Sequence, residues 1–112
     1  MINLISGKNC MSYKVEIFLS GPIEVAKQVL REDCKRKGLC VTIEETLFIY
    51  TGGEENGYRV GLLNYPRFPD TAENLWNRAV YLAEKLLEVT FQNSALVTDW
   101  ENTLWLSNRK EE

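Results

Sequence analysis

Val15, Ile17 and Leu19 alternate with Lys14, Glu16 and Phe18, a period of two that predicts a strand over Tyr13 to Ser20. Gly21-Pro22 breaks it, and proline suits a first helical turn because its missing N–H would lack a partner there anyway. Ile23, Ala26, Val29, Leu30 and Cys34 then recur at helical spacing, with Lys27, Arg31 and Lys35 on the outer face. Gly38 is placed to stop this helix, and Lys35, Arg36 and Lys37 complement its negative end. Cys40 to Thr51 alternates again, with Val41, Ile43, Leu47 and Ile49 on one set; Glu45 falls on that set too and suggests a bulge. A loop of turn residues, Gly52 to Gly57, leads into a return strand over Tyr58 to Asn64, so the pair makes a hairpin.

Tyr65-Pro66-Arg67-Phe68-Pro69 is a stiff linker, since each proline fixes its own φ and keeps the residue before it from helical angles. Asp70 or Thr71 can cap a second helix, Asp70 and Glu73 having capping-box spacing. Leu75, Ala79, Leu82, Ala83, Leu86, Leu87 and Thr90 form its apolar stripe, and Asn93-Ser94 ends it. Ala95 to Thr98 reads as a strand, Asp99 to Asn102 as a turn, and Thr103 to Ser107 as another strand. The order is βαββαβ with the last strand splitting into a hairpin. That is an α+β chain of ferredoxin-like type: a two-layer sandwich with an antiparallel sheet and two helices on one face. Phe18, Phe48 and Tyr50 fall on the alternate sets of their strands, with Trp105 in line to join them. They would form an apolar patch on the opposite face unless something covers it. A homodimer through that face is the expected arrangement.

The chain has 112 residues, the size of one domain, and 45% of them are hydrophobic, enough for a packed core. Residues 1–11 read as an appendage, 12–107 as the domain and 108–112 as a charged tail. A net charge of -3 gives no electrostatic footprint for a phosphate backbone, so nucleic acid is not an expected partner. No apolar run approaches the roughly 18 residues of a membrane span. Three cysteines, an odd count with no secretory signal ahead of them, argue for a reducing compartment. The expected location is the cytoplasm of a bacterial or phage-infected host cell.

The sequence contains no histidine, which removes the usual general base, the Ser-His and Cys-His pairs and the commonest metal ligand. Cys34 and Cys40 have no third or fourth soft ligand nearby, so neither a metal nor another cofactor is expected. Adjacent strand residues point to opposite faces, which separates Glu44 from Glu45. Thr51-Gly52-Gly53 opens a hairpin, not a helix, and is not a phosphate loop. With no catalytic motif visible, the expectation is a protein that is not an enzyme.

Two places suit binding. Asn64, Tyr65, Arg67 and Phe68 sit in the stiff loop between the second hairpin strand and the second helix. Tyrosine and arginine are favoured interface anchors, and rigidity lowers the entropic cost of binding. Ser20-Gly21 leads from strand into helix, where free N–H groups can hold an anion. Ile17-Phe18-Leu19-Ser20-Gly21 has the look of the first-strand motif of RNA recognition motifs, but Tyr58-Arg59-Val60-Gly61-Leu62-Leu63 lacks the basic, aromatic character of its partner.

The stretch YTGGEENGYRVGLLNYPRFP, together with the second helix and the Trp105-Leu106-Ser107 ending, resembles small uncharacterised accessory proteins of bacteriophages. The resemblance implies a non-enzymatic, anti-defence type of protein that binds and inhibits a host macromolecule or sequesters a nucleotide signal. Its partner would then be a host protein or a small nucleotide ligand. The element order is also similar to ACT domains, which implies the alternative of a metabolite-binding regulatory domain. A single-stranded nucleic-acid binder is the third reading.

Overall fold

In a computed structural model, residues 5–108 are described. Five strands and two helices follow the order β1 (Lys14–Ser20), α1 (Ile23–Arg36), β2 (Val41–Tyr50), β3 (Gly53–Leu63), α2 (Ala72–Thr90), β4 (Ser94–Thr98) and β5 (Thr103–Ser107). The strands form one sheet in the order β2-β3-β1-β4-β5, antiparallel at every pairing. The α+β expectation holds, and the last strand is indeed a hairpin.

The alternating sets fix what each sheet face carries. Val15, Ile17 and Leu19 stand opposite Leu62, Val60 and Tyr58, while Val97 pairs with Ile17. All seven are buried beneath the helices, against Ala79, Leu82, Ala83 and Leu86 of α2 and Ala26 and Leu30 of α1. At roughly 25 cal/mol per Å² of apolar surface, this layer supplies the main drive to fold. The other set, with Glu16, Phe18, Arg59, Leu96 and Trp105, lies on the open face.

Two local expectations change, and of the two candidate caps of α2 one is selected. The six-residue loop is really a two-residue turn, Thr51-Gly52, with Gly52 at φ 93° and β3 starting at Gly53. No bulge occurs at Glu45, since the register runs unbroken from Val41↔Leu62 to Tyr50↔Gly53. Glu45 is tolerated on the helix-side set because the helical layer stops short of it: Val41 and Ile43 are half-buried, whereas Leu47 and Ile49 are exposed. The distal hairpin therefore overhangs the core. The α2 cap is Thr71, whose hydroxyl accepts from Asn74 N at 3.0 Å; Asp70 accepts instead from Thr71 N and from the Asn74 amide, both at 2.8 Å.

The helix α1 buries a charge that its apolar stripe did not announce. Asp33 is 1% exposed and receives Arg36 Nη2 and Arg78 Nη2, each at 2.8 Å. Cys34, expected in the core, is half-buried beside it. Burial, then the Asp33 carboxylate, push its thiol pKa up, the opposite of what a reactive thiolate needs. Within the 1–11 segment, Cys10 Sγ donates to Asn64 O at 3.4 Å and Met11 O accepts from Asn64 Nδ2 at 2.7 Å. Of the tail, Asn108 bonds back to Asn93 and Gln92, and residues 109–112 lie outside the described residues. Among the described residues, no helix is long and apolar enough to cross a membrane.

Candidate functional site

A cleft of about 550 Å³ opens where the start of β1, the chain leaving β3 and the β4–β5 turn converge. Tyr13 and Lys14 come from the first of these, Asn64, Tyr65 and Pro66 from the second, and Asp99, Trp100 and Glu101 from the third. Its size falls within the usual range for a small-molecule site of roughly 300–1,000 Å³.

The turn that supplies the acids is held by its first residue. Asp99 Oδ1 accepts from Glu101 N at 2.9 Å and Asn102 N at 2.7 Å, and Oδ2 accepts from the Tyr13 hydroxyl at 3.0 Å. The Asn102 and Glu101 amides hold the Asp99 carboxyl below its ordinary pKa, with a smaller contribution from Tyr13. Burial, then the hydrogen bond to Asp99, push the Tyr13 phenol up to about 12. Both effects favour one state, ionised Asp99 facing a neutral phenol that donates to it.

Trp100 is the strained member. Its φ is +72°, a left-handed backbone that a bulky residue seldom adopts. Trp100 N donates to Thr98 Oγ1 at 3.0 Å, and the indole N–H donates to Glu16 Oε1 at 2.9 Å. Glu16 sits mid-strand on the open face and is only 7% exposed. Lys14 Nζ at 3.5 Å and Arg59 Nε at 3.7 Å balance its charge, and Arg59 continues to Glu44 through Nε at 3.1 Å and a shorter Nη2 contact. The cleft thus runs into a charged ladder, Lys14–Glu16–Arg59–Glu44, across three strands.

The expected aromatic face exists but is not bare. Phe18 is half-buried, with Phe48 edge-on at 6.5 Å and Trp100 edge-on at 6.4 Å between ring centroids. Trp105 and Tyr50 are on the same face and remain exposed.

The stiff loop is divided between two cavities. Asn64 and Tyr65 line the cleft, while Phe68 lines a second cavity on the helix side. Tyr65 and Phe68 stack with centroids 5.8 Å apart, and Arg67 lies over the Phe68 ring at 5.9 Å. Ser20 and Gly21 lie at the far end of β1 from the cleft. Gly21 N donates to Asn56 O at 3.3 Å, and the Ser20 hydroxyl is bound to Glu55, so this turn is occupied by its own hairpin contacts and an acid.

Reading the sequence missed Tyr13, Glu16, Asp99 and Trp100. One signal was present: a tryptophan inside a four-residue turn, flanked by acids, is out of place unless its ring has a partner. Among the described residues no group of acids and cysteines is arranged to hold a metal ion.

No protein-family model matches the chain, and no curated protein matches it either. Solved structures do. The chain is similar to a phage SAM lyase in the apo state, with a TM-score of 0.74 and 16% identity over 100% of this chain and 99% of that one. It is also similar to a phage SAM lyase in complex with S-methyl-5'-thioadenosine, with a TM-score of 0.68 and 14% identity over 98% and 100%. At this identity the likeness shows a common fold from end to end. It overturns the expectation of a non-enzymatic binding protein, together with its host-inhibitor, ACT-like and nucleic-acid-binding versions. That expectation rested on the lack of a catalytic motif, and the proteins sharing this architecture and length are described as lyases. The resemblance to phage proteins holds at the level of fold.

Proposed function

We propose that this protein is a lyase of S-adenosylmethionine (SAM) that releases S-methyl-5'-thioadenosine. The observation that carries the reading is the full-length likeness to phage SAM lyase, one structure of which holds that thioether product. The cleft around Trp100 is the site we assign to the substrate.

The chemistry agrees with what the chain lacks. A sulfonium is already activated: when the bond from sulfur to the methionine-derived arm breaks, both electrons go to sulfur and the leaving group is a neutral thioether. No acid is needed to protonate it. In a lyase the electrons that replace the broken bond come from the substrate itself and not from water: either its own carboxylate closes onto the carbon that sulfur leaves, with no proton moved, or a neighbouring C–H bond supplies the pair and its proton passes to a carboxylate such as Glu101. A histidine-free chain is therefore no obstacle. What the protein must supply is binding, orientation and a suitable medium.

The cleft offers these. Asp99 and Glu101 suit the substrate's positive groups, and the rings of Tyr65 and Trp100 suit a flat base or a sulfonium beside a π-face. Asn64 adds an amide at the rim. The positive charge on sulfur disappears as the bond breaks, so a surrounding less polar than water favours the transition state over the charged substrate. The Glu16–Trp100 hydrogen bond holds the indole wall in place. Tyr50 and Trp105 remain exposed on the open face, and self-association as a homodimer there would cover them.

The test is direct. Purified protein is incubated with SAM alone and the mixture is followed by liquid chromatography with mass spectrometry. Loss of SAM matched by S-methyl-5'-thioadenosine is the expected result. Unchanged SAM over hours at high protein concentration would overturn the reading. Sedimentation velocity on the wild type and on Trp105→Glu tests self-association, which a wild-type monomer at micromolar concentration would exclude.

A further inference from the structure

We propose that a second cavity, on the helix side of the molecule, binds a small phosphate monoester with a flat apolar body. It lies between the end of α1 and the first half of α2, has a volume of about 470 Å³, and is separate from the Trp100 cleft.

Its charge is opposite to that of the chain. Arg36, Lys37 and Arg78 line it, and the acids of this cluster are Asp33 beneath the two arginines and Asp70 on the rim. Three cations against two carboxylates leave one positive charge, on a protein whose net charge is -3. The carboxylates are already engaged. Asp33 holds Arg36 and Arg78 at 2.8 Å each, with Arg78 Nε at 3.3 Å, and Asp70 accepts from Thr71 N and Asn74 Nδ2.

The buried Asp33 does more than neutralise. By fixing two guanidiniums from different helices, it removes the side-chain freedom that an arginine site must otherwise lose on binding an anion. Arg36 Nε and Nη1 and Arg78 Nη1 are not used in those bonds and remain as donors. Phosphate is the oxyanion matched by paired guanidiniums and an adjacent lysine. The apolar character of the ligand follows from the walls, where the half-exposed rings of Phe68 and Tyr81 line the same cavity.

The experiment uses the whole chain labelled with ¹⁵N. Inorganic phosphate, phenyl phosphate and phenol are titrated separately and followed by amide chemical shifts. Phenyl phosphate is expected to give saturable shifts at Lys37, Asn77 and Tyr81, several-fold tighter than inorganic phosphate, and phenol none. Lys37→Glu, whose side chain makes no contact needed for the fold, should weaken phenyl phosphate about tenfold with an unchanged melting temperature. No saturation at millimolar concentration, equal response to phenol, shifts confined to the Trp100 cleft, or unaltered affinity in Lys37→Glu would each overturn the proposal. None of these outcomes depends on turnover of SAM.

Discussion

The indole N–H of Trp100 donates to the Glu16 carboxylate across 2.9 Å, tying the β4–β5 turn to the centre of the open sheet face. The bond joins residues 84 apart in sequence and holds a backbone at φ +72° that Trp100 would not choose alone. Trp100→Phe keeps most of the ring and removes the donor. It is expected to destabilise the fold by about 1.5 kcal/mol, the lower range for a hydrogen bond to a charged group. Under the proposed function it should also slow SAM consumption about tenfold by loosening one wall of the cleft. Urea unfolding and initial rates on the same variant check both. Wild-type rates with reduced stability would show that the bond serves the fold alone.

Asp33 makes a separate prediction about stability. Removing Arg78 leaves a carboxylate that is 1% exposed with one partner in place of two. Arg78→Leu is expected to cost about 3 kcal/mol, the range for breaking a buried pair. The double change Asp33→Leu/Arg78→Leu should recover most of that loss, since no buried charge then remains uncompensated. A double variant as unstable as the single one would show that packing, not charge, dominates there.

Much of the fold was legible because it follows from two periods. Val15-Ile17-Leu19 and Leu75-Ala79-Leu82-Leu86 can bury their apolar sets in only one way each, which marks the type of each element and its core face. The site was less legible because it is made where segments converge. Tyr13 and Asp99 are 86 residues apart, and nothing local in either marks the hydrogen bond between them. Asn64 and Tyr65 stood out because a stiff aromatic loop is unusual in itself, and both line the cleft. Arg67 was grouped with them on sequence proximity, yet it lies over Phe68 and outside the residues that line the cleft. Asp33 was passed over because a charge next to a helical stripe ordinarily turns to solvent. The inference against an enzyme rested on the missing histidine, which excludes only reactions that need one; under the proposed function, loss of a thioether from a sulfonium does not.

Gly57 gives a third prediction. It pairs with Ser20 at the end of β1 and with Thr46 on β2, and the Phe48 ring passes over it toward Phe18. A Cβ there would lie 2.4 Å from Leu19 O and 2.5 Å from Phe48 Cε2. The first of these is backbone in a central strand and cannot yield. Gly57→Ala should therefore destabilise by about 3 kcal/mol, at the upper range for overpacking. Gly52→Asn, at a position with nothing within 4 Å and a backbone that asparagine tolerates better than most residues, is the contrasting control and should cost less than about 1 kcal/mol. Thermal melts of the two variants distinguish a steric effect from a general intolerance of change in the hairpin.

The Tyr13–Asp99 pair should set the pH limits of the cleft. The folded state holds the Asp99 carboxyl below its ordinary 3.8, chiefly through the Asn102 and Glu101 amides. Its contribution is therefore fully present above that value and fades as pH falls through the lower folded one. The folded state raises the Tyr13 phenol from 10.0 to about 12, so its contribution is intact below 10 and is lost as pH rises from 10 to 12. Tyr58, buried under the helices, is also raised, mainly by burial, and adds its own alkaline loss. The difference between wild type and Tyr13→Phe isolates the cleft. Denaturant midpoints measured from pH 9 to 12 should fall more steeply for wild type than for Tyr13→Phe, and Asp99→Asn should flatten the acid limb below pH 4. Parallel alkaline limbs in wild type and Tyr13→Phe would mean that the phenol titrates without sensing the fold, and the Tyr13–Asp99 bond would lose its place in the architecture of the site.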